Sequence, residues 1–210
     1  MEKSYRNLGY IMMVLIPLSF LAFYQTYFGL FPAFGENINT YIHFHAFIAS
    51  IWILMLIIQP ILIRNRNYEL HRKIGKASYL VFPLLILSFI PQMIRIVQSD
   101  TPEVLFFPLS DCISLLLFYS LAIYHKKNAA YHMRYMIGSA LVFLGPTIGR
   151  IGPNVLGLTP DFTQHLQYGV IYTILAGLIL LDRKKGKKSQ AYLLILGAWI
   201  IHLIAYELVF

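Results

Sequence analysis

Tyr41 to Ile63 reads YIHFHAFIASIWILMLIIQPILI, and no Asp, Glu, Lys or Arg interrupts these 23 residues. A helix needs about 20 apolar residues to cross the hydrocarbon core of a bilayer, so this stretch is long enough to span. Six more stretches are of the same kind. The expected spans are 8–31, 41–63, 77–97, 104–124, 132–151, 163–181 and 190–209. Short links join them. Lipid cannot satisfy exposed backbone groups, so the expected fold is all-α: one transmembrane domain over 1–210, a seven-helix bundle. A β-barrel would show ~10-residue alternating segments, and these runs are continuous. No internal repeat, low-complexity segment or soluble domain is expected.

Composition agrees. The chain is 58% hydrophobic and 12% charged, against about 25% charged in a soluble domain. Fifteen Tyr and fifteen Phe suit aromatic belts at the two membrane surfaces. The net charge of +8 does not indicate nucleic acid, because the cations sit in short clusters between apolar runs. Cys112 is the only cysteine, which excludes an intramolecular disulfide and a cysteine-based metal site. Met1 to Arg6 is basic, and the run behind it is too long for the core of a signal peptide. It is expected to be a retained first helix.

Orientation follows from the Lys and Arg positions. With the N-terminus in the cytoplasm, the inner segments hold Lys3, Arg6, Arg64, Arg66, Arg72, Lys73, Lys76, Lys126, Lys127, Arg134, Arg183, Lys184, Lys185, Lys187 and Lys188. That leaves only Arg95 and Arg150, near the outer ends of spans three and five. Glu36, Asp100, Glu103 and Asp161 fall outside, as does the C-terminus. This charge bias predicts a multi-pass protein of the cell (inner) membrane. Pro60, Pro83, Pro91, Pro108 and Pro146 lie within spans and should kink them or loosen their hydrogen bonding.

Polar groups inside a membrane are costly, so each one is a candidate for function. His43 and His45 open span two, and His45, Trp52 and Gln59 recur every seven residues on one face. Ser88, Gln92 and Arg95 share a face of span three, and Asp111 and Ser114 one of span four. Ser139, Thr147 and Arg150 line a side of span five. His165, Tyr168 and Tyr172 do the same in span six. His202 lies well inside span seven between Trp199 and Tyr206 at helical spacing. His71, His125 and His132 stand on the inner side, with Arg72 and Arg134 nearby. The bland alternative is that histidines at span ends sit at headgroup level and only hydrogen-bond. Asp111 is expected to form a buried ion pair with Arg150 or Arg95.

Two motifs carry a resemblance. His71-Arg72-Lys73-Ile74-Gly75 precedes an apolar span. His132-Met133-Arg134-Tyr135-Met136 is followed by Gly145-Pro146 and Arg150. Together they resemble an uncharacterised family of bacterial multi-pass membrane proteins, with HR-x-x-G and H-x-R-x-M runs over spans two to five. That likeness implies no particular chemistry. The layout is also similar to the di-haem transmembrane b-type cytochromes, whose histidines on alternate helices clamp a haem near each face. The likeness implies haem b bound by His71 and His132, with Arg72 and Arg134 neutralising its propionates and a quinone or other redox partner. A second haem would need His45 with His165 or His202, and span four departs from the pattern in carrying Asp111 and no outer histidine.

Three functions are therefore expected to compete. The first is transmembrane electron transfer through haem b. The second is transport of protons or a small molecule, or an accessory role in assembling another membrane complex, using Arg95, Asp111 and Arg150. The third is a zinc-dependent hydrolase with metal held by His43, His45, His202 and Asp111. Residues i and i+2 on a helix point about 200° apart, so His43 and His45 share one ion only where that helix unwinds. The seven-span zinc hydrolases that the chain resembles in span count carry H-x-x-x-H in the last helix, where only His202 stands here. A retinal protein is excluded, because span seven has no lysine for a Schiff base.

Overall fold

The computed structural model describes residues 2–35 and 38–210, and these form helices with no strand. The expectation for Glu36 lies outside the described residues. The α-helices are α1 (Leu8–Met12), α2 (Leu15–Phe23), α3 (Thr40–Arg64), α4 (Tyr68–Ser88), α5 (Ile90–Val97), α6 (Phe106–Tyr124), α7 (Ala129–Val142), α8 (Leu144–Leu156), α9 (Pro160–Lys184) and α10 (Gln190–Val209). The chain divides into two compact units, Met1–Pro108 and Leu109–Phe210.

Six helical stretches are long and apolar enough to cross a membrane: Lys3–Phe23, Thr40–Arg64, Tyr68–Val97, Pro102–Tyr124, Pro160–Lys184 and Gln190–Val209. The seventh expected span, 132–151, is built from α7 and α8 in succession, with a break at Phe143. Pro146 explains the break. Its nitrogen carries no hydrogen for the Val142 carbonyl, and its ring crowds that carbonyl. The Phe143 amide turns to Ala140 O at 3.2 Å, one residue short of the α-helical partner. Pro91 acts alike, and the helix breaks at Phe89 between α4 and α5. Pro60 and Pro83 lie inside continuous helices. Pro108 sits in the first turn of α6, where an amide hydrogen has no helical partner to lose.

In the first unit, α3 and α4 form an antiparallel hairpin. Ile48, Trp52 and Leu56 of α3 are buried, as are Phe82 and Leu85 of α4. The Trp52 and Phe82 rings meet at 5.1 Å. α1 lies across α3 at Gly9, where a Cβ would come within 2.9 Å of Ile57 O. Asn7 accepts from Arg64 Nη1 at 2.6 Å, and the Arg64 guanidinium covers the Tyr10 ring at 4.7 Å.

In the second unit, α9 is the spine. Thr163, Gln164, Gln167, Tyr168, Ile171, Leu175, Ile179 and Asp182 are all buried on it. This is a stripe at three- and four-residue spacing. α8 packs on α9 through Gly152, where any added Cβ would collide with the Thr163 side chain. α7 fits between α6 and α10 at Gly138, where a Cβ would reach both Phe118 and Ile195. A Schellman turn ends α9: Gly186 has φ 64° and donates to Arg183 O at 3.0 Å, while Lys187 donates to Asp182 O at 2.8 Å.

One cap geometry recurs at the starts of α3, α4 and α7, at α3 with Asn39 accepting from Ile42 N and His43 N. Asn67 caps α4 and Asn128 caps α7. Their side-chain oxygens accept from Leu70 N at 3.2 Å and Tyr131 N at 3.4 Å. Their backbone oxygens accept from His71 N at 3.1 Å and His132 N at 2.9 Å. Each histidine is thus the fourth residue of a capped helix. A search for apolar periods passes over this feature, because its unit is a cap.

Candidate functional site

The second unit gathers most of its buried polar groups in the half of the unit that holds the start of α9. Gly145 of α8 is the point of convergence. A Cβ built there would lie 3.5 Å from Asp111 Oδ1 on α6 and 3.4 Å from Gln167 Nε2 on α9. The missing side chain lets a carboxylate and a carboxamide approach the α8 backbone together. Arg150, one and a half turns further along α8, interacts electrostatically with Asp111 and donates to Pro146 O at 3.0 Å. Asp111 and Arg150 therefore belong to one electrostatic group. Arg95 is exposed on α5, in the first unit.

Beside this group, α9 and α10 form a second polar contact. The Tyr168 hydroxyl meets His202 Nδ1 at 2.8 Å, with both residues buried. Tyr172 donates to Trp199 O at 3.1 Å, and the Trp199 ring lies 5.0 Å from the His202 ring. His202 thus has the interior partner that a mid-span imidazole requires. Buried Gln164 and Thr163 precede Tyr168 on α9. Beyond Tyr172 the interior turns apolar: Leu175 and Ile195 are fully buried and Ile179 nearly so.

On the far side of this apolar layer is a buried ion pair. Arg134 of α7 binds Asp182 of α9 through Nε to Oδ2 and Nη2 to Oδ1, both at 2.7 Å. The side chains are 2% and 1% exposed. A third donor, Nη1, reaches Ala130 O at 2.9 Å, and the guanidinium faces the Tyr192 ring. The bidentate fork gives each carboxylate oxygen its own donor, the geometry that best offsets the cost of removing both charges from water. Arg134 was expected beside a haem propionate and instead directs these donors within the unit. Asp182 was not expected at all. Its signal was legible: it lies seven residues from Leu175 and fourteen from Tyr168, on the stripe that α9 buries.

The other candidate residues lie elsewhere. His165 is exposed. Its Nδ1 meets Asp161 O at 2.9 Å and its Nε2 meets Glu207 Oε1 at 3.0 Å. Both partners are acceptors, so the two bonds together require a doubly protonated ring. In the first unit, His43 Nδ1 meets the Tyr27 hydroxyl at 2.8 Å and packs on Phe34. His45 Nδ1 meets Ser88 Oγ at 2.8 Å. Ser88 Oγ also bonds Leu85 O. The His71 carbonyl accepts from Gln59 Nε2 at 3.2 Å, and Arg72 is exposed. His132 Nδ1 donates to Ala122 O at 2.8 Å. His125 stacks on Tyr131 and Tyr135. Among the described residues no group of three or more His, Cys, Asp or Glu side chains is placed to hold a metal ion. His43 and His45 belong to the first unit, and His202 and Asp111 to the second.

Compared with protein-family models, curated proteins and solved structures, the chain matches none of them.

Proposed function

We propose that the protein is a membrane carrier that moves protons, alone or with a small hydrogen-bonding solute, through its second unit. The approach of Asp111 and Gln167 to the bare backbone of Gly145, with Arg150 acting electrostatically on Asp111, carries this reading. A carboxylate inside a span is costly to keep, and one that faces an interior group of donors marks an ion or proton path by default. The chemistry suits the task. Asp111 accepts and releases a proton beside a fixed cation. Tyr168 and His202 pass one along a hydrogen bond, since both are donor and acceptor. The apolar layer at Leu175, Ile179 and Ile195 interrupts a continuous polar path, and the Arg134–Asp182 pair lies beyond it. That sequence of polar half, apolar seal and buried ion pair suits a carrier that opens in turn to either side better than a standing pore.

The test is proton flux in proteoliposomes loaded with a pH-sensitive dye and driven by a potassium diffusion potential. Wild-type vesicles are expected to acidify, and Asp111→Asn to lose at least about tenfold of the rate. Flux equal to that of protein-free vesicles overturns the reading.

A haem b reading keeps one specific observation in its favour. His132 donates Nδ1–H to a backbone carbonyl, the second bond that fixes a ligating imidazole with Nε2 presented to iron. Bound haem would supply one-electron chemistry with a quinone or another redox partner. A Soret band in protein purified from haem-replete membranes, lost in His132→Ala, is the expected result. Colourless protein excludes it.

A further inference from the structure

The end of the second unit that holds the Arg134–Asp182 pair carries a concentrated positive charge. Lys126 and Lys127 follow α6, and Arg183, Lys184, Lys185, Lys187 and Lys188 follow the last buried residue of α9. All seven are exposed. Two contacts hold these loops at one end. Arg134, in the first turns of α7, grips Asp182 in the last turn of α9. Tyr131 donates to Gln190 at the start of α10. The longer basic run is not a loose tail, because the Schellman turn at Gly186 fixes its backbone.

The acids of this unit do not offset that charge. There are four, namely Asp111, Asp161, Asp182 and Glu207. Asp182 is buried and neutralised by Arg134. Asp161 and Glu207 both contact His165 at the opposite end of α9. Asp111 is thirteen residues, or about 20 Å, up α6 from Tyr124. Sorting of cations to one side accounts for orientation. It does not require the single acid at that end to be sequestered inside the protein, or the basic loop to be held in a closed turn. This acid-free cluster lies at the adjoining ends of α6, α7, α9 and α10, the level at which a span end meets lipid headgroups. Tyr124, 81% exposed just before Lys126, adds an aromatic side chain of the kind that sits at headgroup level.

We propose that this end of the second unit, formed by Lys126, Lys127 and the Arg183–Lys188 turn, is a binding surface for anionic phospholipid headgroups. The ligand chemistry is a phosphodiester in the plane of the membrane, held by several lysines at once. This proposal is independent of the carrier reading and holds whether or not protons move.

The test uses the full chain reconstituted into vesicles of equal parts phosphatidylglycerol and phosphatidylcholine, re-extracted in mild detergent, with the retained lipid counted by mass spectrometry. Wild type is expected to retain phosphatidylglycerol at least about threefold over phosphatidylcholine, and to lose that preference at high salt. Replacing Lys184, Lys185, Lys187 and Lys188 together with Gln is expected to bring the ratio near one. The same treatment of Arg72 and Lys73 in the first unit is expected to leave it high. Thermal melts in detergent check that both variants are folded, and should the fourfold variant fail to fold, Lys126→Gln with Lys127→Gln takes its place. Displacement of the retained lipid by millimolar inorganic phosphate alone would assign the surface to a free anion and overturn the lipid proposal. A wild-type ratio near one, or a substituted turn that keeps the preference, would overturn it as well.

Discussion

The Arg134–Asp182 pair shows how much depends on a single partner. Both charges are withdrawn from water, and their attraction, with three hydrogen bonds from the guanidinium, offsets that loss only while both are present. Asp182→Asn leaves a buried guanidinium with no counter-charge and is expected to cost about 3–5 kcal/mol. The double change Arg134→Met with Asp182→Leu removes both charges and should recover most of that loss. Thermal unfolding in detergent, followed by tryptophan fluorescence, separates the two. A double variant no better than the single one would mean that the pair does more than cancel charge. Packing at Gly152 gives a second expectation. A methyl group there collides with the Thr163 side chain, so Gly152→Ala should destabilise by about 1–3 kcal/mol, and Thr163→Ala should relieve only part of that loss because Thr163 Cβ itself lies 2.8 Å away.

At the scale of elements, proline placement decides which spans stay whole. Pro60 and Pro83 are accommodated in continuous helices, whereas Pro91 and Pro146 each follow a break. The break before Pro146 begins α8 anew, and on α8 Gly145 faces Asp111 and Gln167. Two glycines on that helix make a matched test. Gly145→Val fills the gap between the carboxylate and the carboxamide, and is expected to abolish most proton flux. Gly149→Ala adds a methyl where no atom lies within 4 Å, and should leave flux and melting temperature near wild type. Equal flux in the two variants would remove Gly145 from the path.

For the whole molecule, the number of crossings decides the sides on which the termini lie. The six long helices alone are an even number. The pair α7–α8 makes seven if it crosses, which sets the termini on opposite sides. Fusing reporters that act on only one side of the membrane to each terminus is expected to show the N-terminus inside and the C-terminus outside. Both termini on one side would mean that the broken span does not cross. How much of the site was legible varies with the residue. Asp111 with Arg150, and His202 with an interior partner, were readable as expensive groups in apolar runs. Gln164, Gln167 and Asp182 lie on the buried stripe of α9, and their spacing along it is the one signal the sequence carries for them.

The helical class and the positions of most spans followed from the sequence by itself. Transfer of a 20-residue segment from water to lipid is decided by that segment's own side chains, whatever surrounds it. The break at Phe143 was half legible, because a proline acts on the carbonyl four residues before it and on nothing further away. The partner of Arg134 was a matter for tertiary structure alone. Asp182 lies 48 residues along the chain, and only the packing of α7 against the end of α9 brings the two charges within reach of each other. Charge pairing in a low-dielectric interior depends on distance in space, and sequence separation carries almost no information about that distance.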